Sequence, residues 1–405
     1  MVWILGFFTL AGYNFSFWLI VGGIRYCYER FFPQKERGQG KPSATLTPKE
    51  VAAIIPAHNE AQSIERTIKA LLKVVPKSNI YVASDASTDE TVSVARTLGA
   101  RVTDIHPNRG KAGVIVYTLK KYKLLSRFKA ILINDADVEI DRHYLIRAIP
   151  LLSDPAVAAI APHGMTRWKN YGIWEMLFIS YRVRLWRVIQ LGMRFGQTWK
   201  FTNASYIVPG SLCLYRSRVL KKIQIDAPGL IIEDFNMTFE LHKKRLGRIA
   251  YHPSIFGLHQ DPYNLGDYIK QVTRWNLGFW QTVKKNGIWP SFFWLSTGSF
   301  LIELILYALF LLSLPALLIL IAQNHFTPIP FFGQKLSLAD IFIGVFAMDY
   351  FTTLLAAFWE KKAIVALYGP AFIILRIIDA FLFLYTLPLA FVTKSSGTWV
   401  SPKRR

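Results

Sequence analysis

Ala130-Ile131-Leu132-Ile133-Asn134-Asp135-Ala136-Asp137-Val138 is the stretch from which the rest of the chain is read. Its apolar half predicts a buried strand, and its acidic half places two carboxylates one small residue apart. Alternate side chains of an extended segment share a face, so a strand continued through this stretch aims Asp135 and Asp137 into one space. Carboxylates that close repel unless a proton or cation lies between them. Oxygen ligands with an open coordination sphere suit Mg²⁺ or Mn²⁺ carrying the phosphates of a substrate. The competing reading is a plain turn after a strand, because Asp is a common turn residue.

Upstream, short apolar runs alternate with helical spacing. Residues 51–55 read as a strand ending in Pro56-Ala57-His58-Asn59-Glu60, and residues 61–72 as a helix. Residues 80–83 form a second strand, closed by Ser84-Asp85-Ala86-Ser87-Thr88-Asp89-Glu90; a helix runs to Leu98 and a third strand covers 101–104. Asn108-Arg109-Gly110-Lys111 then opens another helix. This alternation predicts an α/β domain, a mostly parallel sheet with helices on both faces. Ligands of such sheets bind beyond the carboxyl ends of the strands. Glu60, Asp85 and the Asp135/Asp137 pair all fall at such ends, which predicts one shared cleft.

The chain is apolar and basic together. Of 405 residues 52% are hydrophobic, and 48 Lys and Arg against 26 Asp and Glu give a formal charge of +22. The mean hydropathy is +0.26. A basic surface suits anionic lipid, anionic substrates or nucleic acid, but no nucleic-acid motif is present, and the apolar blocks point to a lipid bilayer. Two cysteines, Cys27 and Cys213, make neither a disulfide framework nor a zinc pattern. Residues 2–22 are uncharged and long enough to span a bilayer. Arg25, Arg30, Lys35 and Arg37 follow that segment, the order of a helix whose C-terminal end faces the cytoplasm rather than of a signal peptide.

Three more apolar blocks, at 292–322, 338–358 and 363–392, are each long enough to span. The first carries Glu303; the last carries Arg376 and Asp379, one helical turn apart, either paired with each other or lining a path. One span before the α/β region and three after it would leave the Lys403-Arg404-Arg405 tail outside. The positive-inside rule favours a cytoplasmic tail, so one block is expected to be re-entrant or interfacial. Residues 167–200 set four Trp among Arg167, Arg182, Arg184, Arg187 and Arg194, the pattern of amphipathic helices on a membrane surface, with an ordinary buried helix carrying a solvated face as the alternative. The expected organisation is an N-terminal transmembrane helix at 1–24, a linker at 25–50, the cytoplasmic catalytic domain at 51–290, membrane and interfacial helices at 291–393, and a basic tail at 394–405.

Further stretches carry possible chemistry. Gly110 and Lys111 at a helix start suit close approach of a diphosphate, or form an exposed turn. Glu233-Asp234 before a helix at 235–244 suits the helix dipole, and Asp234 is also a candidate general base. Gln271, Arg274 and Trp275 share one face of a helix and can contact a diphosphate and stack a sugar ring.

The order Asp85, Asp135-Ala136-Asp137, Glu233-Asp234, Gln271-x-x-Arg274-Trp275 resembles the processive family-2 glycosyltransferases, among them cellulose, chitin, hyaluronan and poly-N-acetylglucosamine synthases. The resemblance covers about residues 50–290 and, more loosely, the membrane segments. It implies a GT-A domain embedded between transmembrane helices. It implies that Asp85 and Glu60 contact the nucleoside of a UDP-sugar donor, and that Lys111, Asp135, Gln271 and Arg274 hold its diphosphate. Asp137, supported by Asp135, would bind Mg²⁺ or Mn²⁺. Asp234 would be the base; Trp275, Gly210 and Glu233 would line the acceptor site. Pro209-Gly210-Ser211 looks like the family's small-residue loop, and residues 394–402 with Trp399 look like the segment following the last helix. Ile232 stands where many relatives have Thr, and the single N-terminal span is fewer than many synthases have. The expected activity is inverting transfer from a UDP-sugar, foremost UDP-N-acetylglucosamine and next UDP-glucose, to a growing β-linked polysaccharide at the plasma membrane. A single transfer to a glycolipid acceptor and a non-catalytic sugar-binding export component are the alternatives. Helper subunits have no signature in these residues.

Overall fold

A computed structural model describes residues 12–32, 46–323, 329–331 and 334–393. The expected basic tail and the start of the first span lie outside the described residues.

The predicted parallel sheet forms around β1 (Val51–Ala57), which lies between β2 (Ile80–Asp85) and β4 (Ala130–Asn134) and is parallel to both. β3 (Arg101–Ile105) extends the parallel set beyond β2. On the other side β7 (Leu212–Arg216) runs antiparallel to β4, and β6 (Val157–Thr166) runs antiparallel to β7. β8 (Arg248–His259) is parallel to β6, and the two-residue β5 (Glu139–Ile140) closes that edge antiparallel to β8. The order is β3-β2-β1-β4-β7-β6-β8-β5. Two reversals restore direction, so β6 and β8 point the same way as β1 to β4, and their carboxyl ends meet at one edge.

Period-two burial explains why this sheet has helices on both faces. Val51, Ala53, Ile55 and Ala57 pack with Ile64, Ile68 and Leu71 of the Ala61–Leu71 helix and with Tyr144, Leu145 and Ala148 of the Tyr144–Leu151 helix. Ala52 and Ile54 face Ile115 and Leu119 of the Gly110–Lys121 helix and Met237 and Leu241 of the Glu233–Lys243 helix. Each fully buried Ile or Leu there contributes roughly 1.5–3 kcal/mol relative to exposure.

Three described helices are long and apolar enough to cross a membrane: Phe292–Ala322, Leu338–Glu360 and Gly369–Val392, with mean hydropathies of 2.8, 1.8 and 2.0. The last expected block is divided. A short Ala363–Leu367 helix ends before Gly369-Pro370, and the long Phe372–Val392 helix begins after it. Arg376 and Asp379 do not pair with each other: Arg376 binds Asp349 at 2.8 Å, and Asp379 accepts from Tyr181 and Tyr268.

The first helix differs from expectation. It runs Tyr13–Phe31, so residues 25–31, assigned to the linker, are helical. Arg25 is buried rather than placed at a membrane surface. Its guanidinium donates to Phe195 O at 2.6 Å, Thr198 Oγ1 at 3.1 Å and Tyr251 O at 3.3 Å, pinning the helix to the α/β domain. At the crossing, a Cβ on Gly196 would stand 2.5 Å from Trp18 O, so only glycine permits the approach.

The basic stretch at 167–200 turns its charge inwards. Arg182, Arg184, Arg187 and Arg194 are all buried, whereas Ile173 and Trp174 are 75% and 78% exposed. The expected basic outer face is absent because these arginines meet buried carboxylates and backbone carbonyls instead of headgroups.

Candidate functional site

The Asp135/Asp137 pair is not the strand extension that alternation suggested. β4 stops at Asn134, whose side-chain amide donates to Asp135 O at 2.7 Å and Val138 O at 3.0 Å. Val138 N–H closes the turn onto Asp135 O at 3.1 Å, and Thr67 Oγ1 donates to Ala136 O. A hydrogen-bonded turn, not period two, therefore presents the two carboxylates to one cavity. The competing turn reading and the ligand reading hold together.

One loop and two helix starts converge on that turn. Asp135 N–H donates to Ser211 O at 2.8 Å. Gly210 N–H donates to Asp234 Oδ2 at 2.9 Å, and Lys111 Nζ donates to Gly210 O at 3.2 Å. Lys111 Nζ also pairs with Asp135 at 2.8 Å and Glu233 at 3.0 Å. Pro209-Gly210-Ser211 is thus the crosspiece between the Asp135 turn and the Glu233-Asp234 helix start. That helix begins at Glu233, two residues earlier than expected, so both carboxylates lie in its first turn.

Lys111, 18% exposed, faces more negative charge than it cancels. Burial alone would lower its affinity for a proton, but Asp135 and Glu233 more than reverse this and keep it charged. Burial pushes the Asp135 carboxyl up against the pull of Lys111, and Asp137 adds to the rise. For Glu233 the ion pair with Lys111 outweighs burial, and the carboxyl is lowered. Asp234 is pushed up to about 6, first by burial and then by the Glu233 charge. Its Oδ1 is buried without a hydrogen-bond partner.

A cavity of about 1310 Å³ holds these groups and runs on between the membrane helices. Glu60, Gly210, Gln271, Arg274 and Trp275 line it with Lys111, Asp135, Asp137, Glu233 and Asp234. Gln271 is already engaged: its Oε1 accepts from Arg182 at 2.5 Å. Arg182 also lies 4.7 Å over the Trp275 ring, and Trp186 is 5.9 Å from Trp275. Asp85 does not line this cavity. It is fully buried, its Oδ1 accepts Arg109 N–H at 2.6 Å, and its Oδ2 has no partner. The Asn108-Arg109 turn, just before the Gly110–Lys121 helix, lies against the end of β2, which sets Asp85 behind the backbone instead of in open space. Burial raises its carboxyl despite the Arg109 and Gly110 N–H groups.

Two site residues escaped the sequence reading. Arg182 read as one charge in a basic helix, although a cation four residues before Trp186 is a stacking signal. His259 ends β8, parallel to β6, so its position at the cleft edge follows only from knowing the pairing. Its Nε2 is buried without a partner, and Asp261, Asp137 and Asp135 are its acidic neighbours.

Among the described residues no group of three or more His, Cys, Asp or Glu side chains could enclose a metal. The donor set instead suits an ion that takes one or two carboxylates and completes its sphere with substrate phosphates, the habit of Mg²⁺ and of Mn²⁺ sites like it. Asp135 is shared with Lys111, which leaves Asp137 as the principal candidate.

Gly210 is a sharp test of this packing. A Cβ there would stand 2.9 Å from Glu233 Oε1 and 3.2 Å from Lys111 Nζ. Gly210→Ala is expected to lower stability by about 1–3 kcal/mol through overpacking. It is also expected to reduce turnover, because Gly210 N–H holds Asp234. Thermal melting and initial rates on the same preparation check both effects.

A family model described as Glycosyltransferase like family 2 matches residues 48–278. A probable glycosyltransferase, YdaM of Bacillus subtilis (strain 168), is 25% identical over 285 residues, 65% of this chain and 62% of that protein. Hyaluronan synthase of Streptococcus pyogenes is 25% identical over 278 residues, 64% of this chain and 61% of that protein. The chain thus matches about three fifths of the length of these relatives. The mannosyltransferase PcManGT of Pyrobaculum calidifontis, solved with GDP-Man and Mn²⁺, superposes with a TM-score of 0.51 at 17% identity, covering 87% of this chain and 94% of that one. That likeness concerns the GT-A fold.

Proposed function

The chain belongs to glycosyltransferase family 2, and we propose that it transfers a sugar from a UDP-sugar, with inversion, to a hydroxyl of a growing β-linked polysaccharide. The observation that carries this reading is the convergence of Lys111, Asp135, Asp137, Asp234 and Trp275 on one cavity. Asp234 takes the proton of the acceptor hydroxyl, since its raised carboxyl, about 6, is still ionised at neutral pH. The attacking oxygen forms its bond to the sugar C1 as the bond from C1 to the diphosphate breaks, so one displacement converts an α donor into a β product. Lys111 and Arg274 offset charge on the departing diphosphate. Trp275, braced by Arg182, offers a flat apolar face to the acceptor ring. Asp137 and Asp135 would hold Mg²⁺ or Mn²⁺, which supplies further charge stabilisation to the leaving group. Asp85, buried behind Arg109 N–H, is the proposed nucleoside contact through its unpartnered Oδ2.

The donor is proposed to be UDP-N-acetylglucosamine, with UDP-glucose next. The three apolar helices support a multi-pass membrane protein, and donor supply requires the catalytic domain on the cytoplasmic side. The test is a panel of labelled nucleotide sugars with purified full-length protein and Mg²⁺ or Mn²⁺, reading UDP release and product size. The expected result is a long product from one donor and none after chelation. A product one sugar long would replace polymer synthesis with single transfer to a lipid acceptor. No release with any donor would sink the catalytic reading.

A further inference from the structure

Five arginines of the catalytic half and first helix are buried: Arg25, Arg182, Arg184, Arg187 and Arg194. Four have a carboxylate within ion-pair reach. Arg25 meets Glu29 at 2.8 Å, Arg182 meets Asp261 at 3.8 Å, Arg184 meets Asp349 at 2.7 Å, and Arg187 meets Glu360. Arg194 has none within that reach among the described residues; its guanidinium lies 5.8 Å over the Tyr251 ring, and the Asp234 charge acts on it from beyond contact. Its Nη1 donates to Pro162 O at 3.2 Å. A guanidinium taken out of water with no carboxylate in contact is unfavourable, so this position favours a bound anion.

The backbone delivers that charge to the cavity. Val188–Arg194 is a π-helical segment continuing the Ile173–Arg187 helix, a rare conformation concentrated at functional sites. It brings Val188, Ile189, Met193 and Arg194 to the cavity wall. The wall there is completed by Asn14 and Phe15 from the first helix and by Phe300, Leu301, Glu303 and Leu304 from the apolar Phe292–Ala322 helix, with Glu303 accepting Asn14 N–H at 3.0 Å. Tyr206 stacks on Phe300 at 5.5 Å. One cation with no carboxylate in contact therefore heads a mostly apolar surface made partly by a helix able to cross a membrane.

We propose that Arg194 seats the phosphate of a lipid whose apolar chain lies along Phe15, Met193, Phe300 and Leu304. A planar guanidinium favours phosphate by paired N–H donors, and the apolar surface beyond it is unsuited to a soluble sugar phosphate. This site shares the cavity with Asp234 and Trp275, and the Asp234 charge reaches Arg194, so its occupancy is read without turnover. A glycerophospholipid of the bilayer and a polyprenyl phosphate carrier share the chemistry.

The test uses the full chain in neutral detergent, titrated with dioctanoyl phosphatidic acid, farnesyl phosphate and dioctanoylglycerol. Binding is followed by tryptophan fluorescence and by the shift in Tm. Wild type is expected to bind at least one phosphate-bearing probe and to ignore dioctanoylglycerol. Arg194→Gln is expected to weaken that binding by about tenfold or more, and Arg194→Lys by less. Leu304→Trp keeps the cation but fills the tail surface, and is expected to block binding. It decides the matter if Arg194→Gln does not melt cooperatively. Preference for phosphatidic acid identifies a bilayer phospholipid, and preference for farnesyl phosphate a prenyl carrier. Equal binding of dioctanoylglycerol, unchanged binding by a folded Arg194→Gln or by Leu304→Trp, or no binding of either phosphate to wild type would overturn the proposal.

Discussion

Asp234→Asn lowers the rate of sugar transfer by about 10²–10⁴-fold, the usual worth of a positioned general base, while donor affinity stays close to wild type. The amide keeps the side-chain shape, and its oxygen can still accept Gly210 N–H, so the crosspiece between the Asp135 turn and the helix start survives. What disappears is the second oxygen, Oδ1, buried and unpartnered at the cavity. Donor affinity is spared because the donor diphosphate is assigned to Lys111, Arg274 and the Asp135/Asp137 turn. The pH dependence is the sharper readout. A base works when deprotonated, and burial with the Glu233 charge holds Asp234 near 6. Wild-type rate should therefore climb as pH rises through about 6 and level above it. Asp234→Asn should lose this limb along with the rate. A variant that keeps both would remove Asp234 from the chemistry and leave it a loop-holding residue.

How far these residues could be read without coordinates follows from the kind of signal each carries. The strand at Val51–Ala57 and the Ala61–Leu71 helix were legible because burial on both sheet faces, and on one helix face, writes itself into local periodicity. The Glu233-Asp234 and Gln271-Arg274-Trp275 stations were legible as spacing, and the structure does bring them to one cavity. Geometry that depends on distant pairing was not. The turn that replaces a strand at Asp135 depends on Asn134 reaching Val138, and the placement of His259 depends on β8 lying beside β6. The arginines between 182 and 194 misled for a related reason. Composition reports that a segment is basic, but only tertiary structure supplies Asp261, Asp349 and Glu360 to draw those charges inside.

The same reasoning gives Lys111 an effect that a surface lysine would lack. Lys111→Met keeps much of the side-chain length but removes the one ammonium joining Asp135, Glu233 and the Gly210 carbonyl. Breaking a buried pair leaves an uncompensated charge, and the Asp135 and Glu233 carboxylates then face one another around the vacated centre, with Asp234 nearby; the expected loss is about 3 kcal/mol. The cavity limits this loss, because water and protonation of Asp135, whose carboxyl burial already raises, relieve part of the repulsion. Lys111 also lowers the Asp234 carboxyl, so removing it should move the acid limb of the rate profile above about 6. Donor affinity should fall in parallel, since an ammonium and a diphosphate attract strongly at an enclosed site. Chemical denaturation, a donor titration and the pH–rate profile measure the three effects on one variant. Lowered affinity with unchanged stability and an unmoved limb would make Lys111 a donor contact alone. If instead all three move together, the ammonium is holding the carboxylate cluster in shape before any substrate arrives.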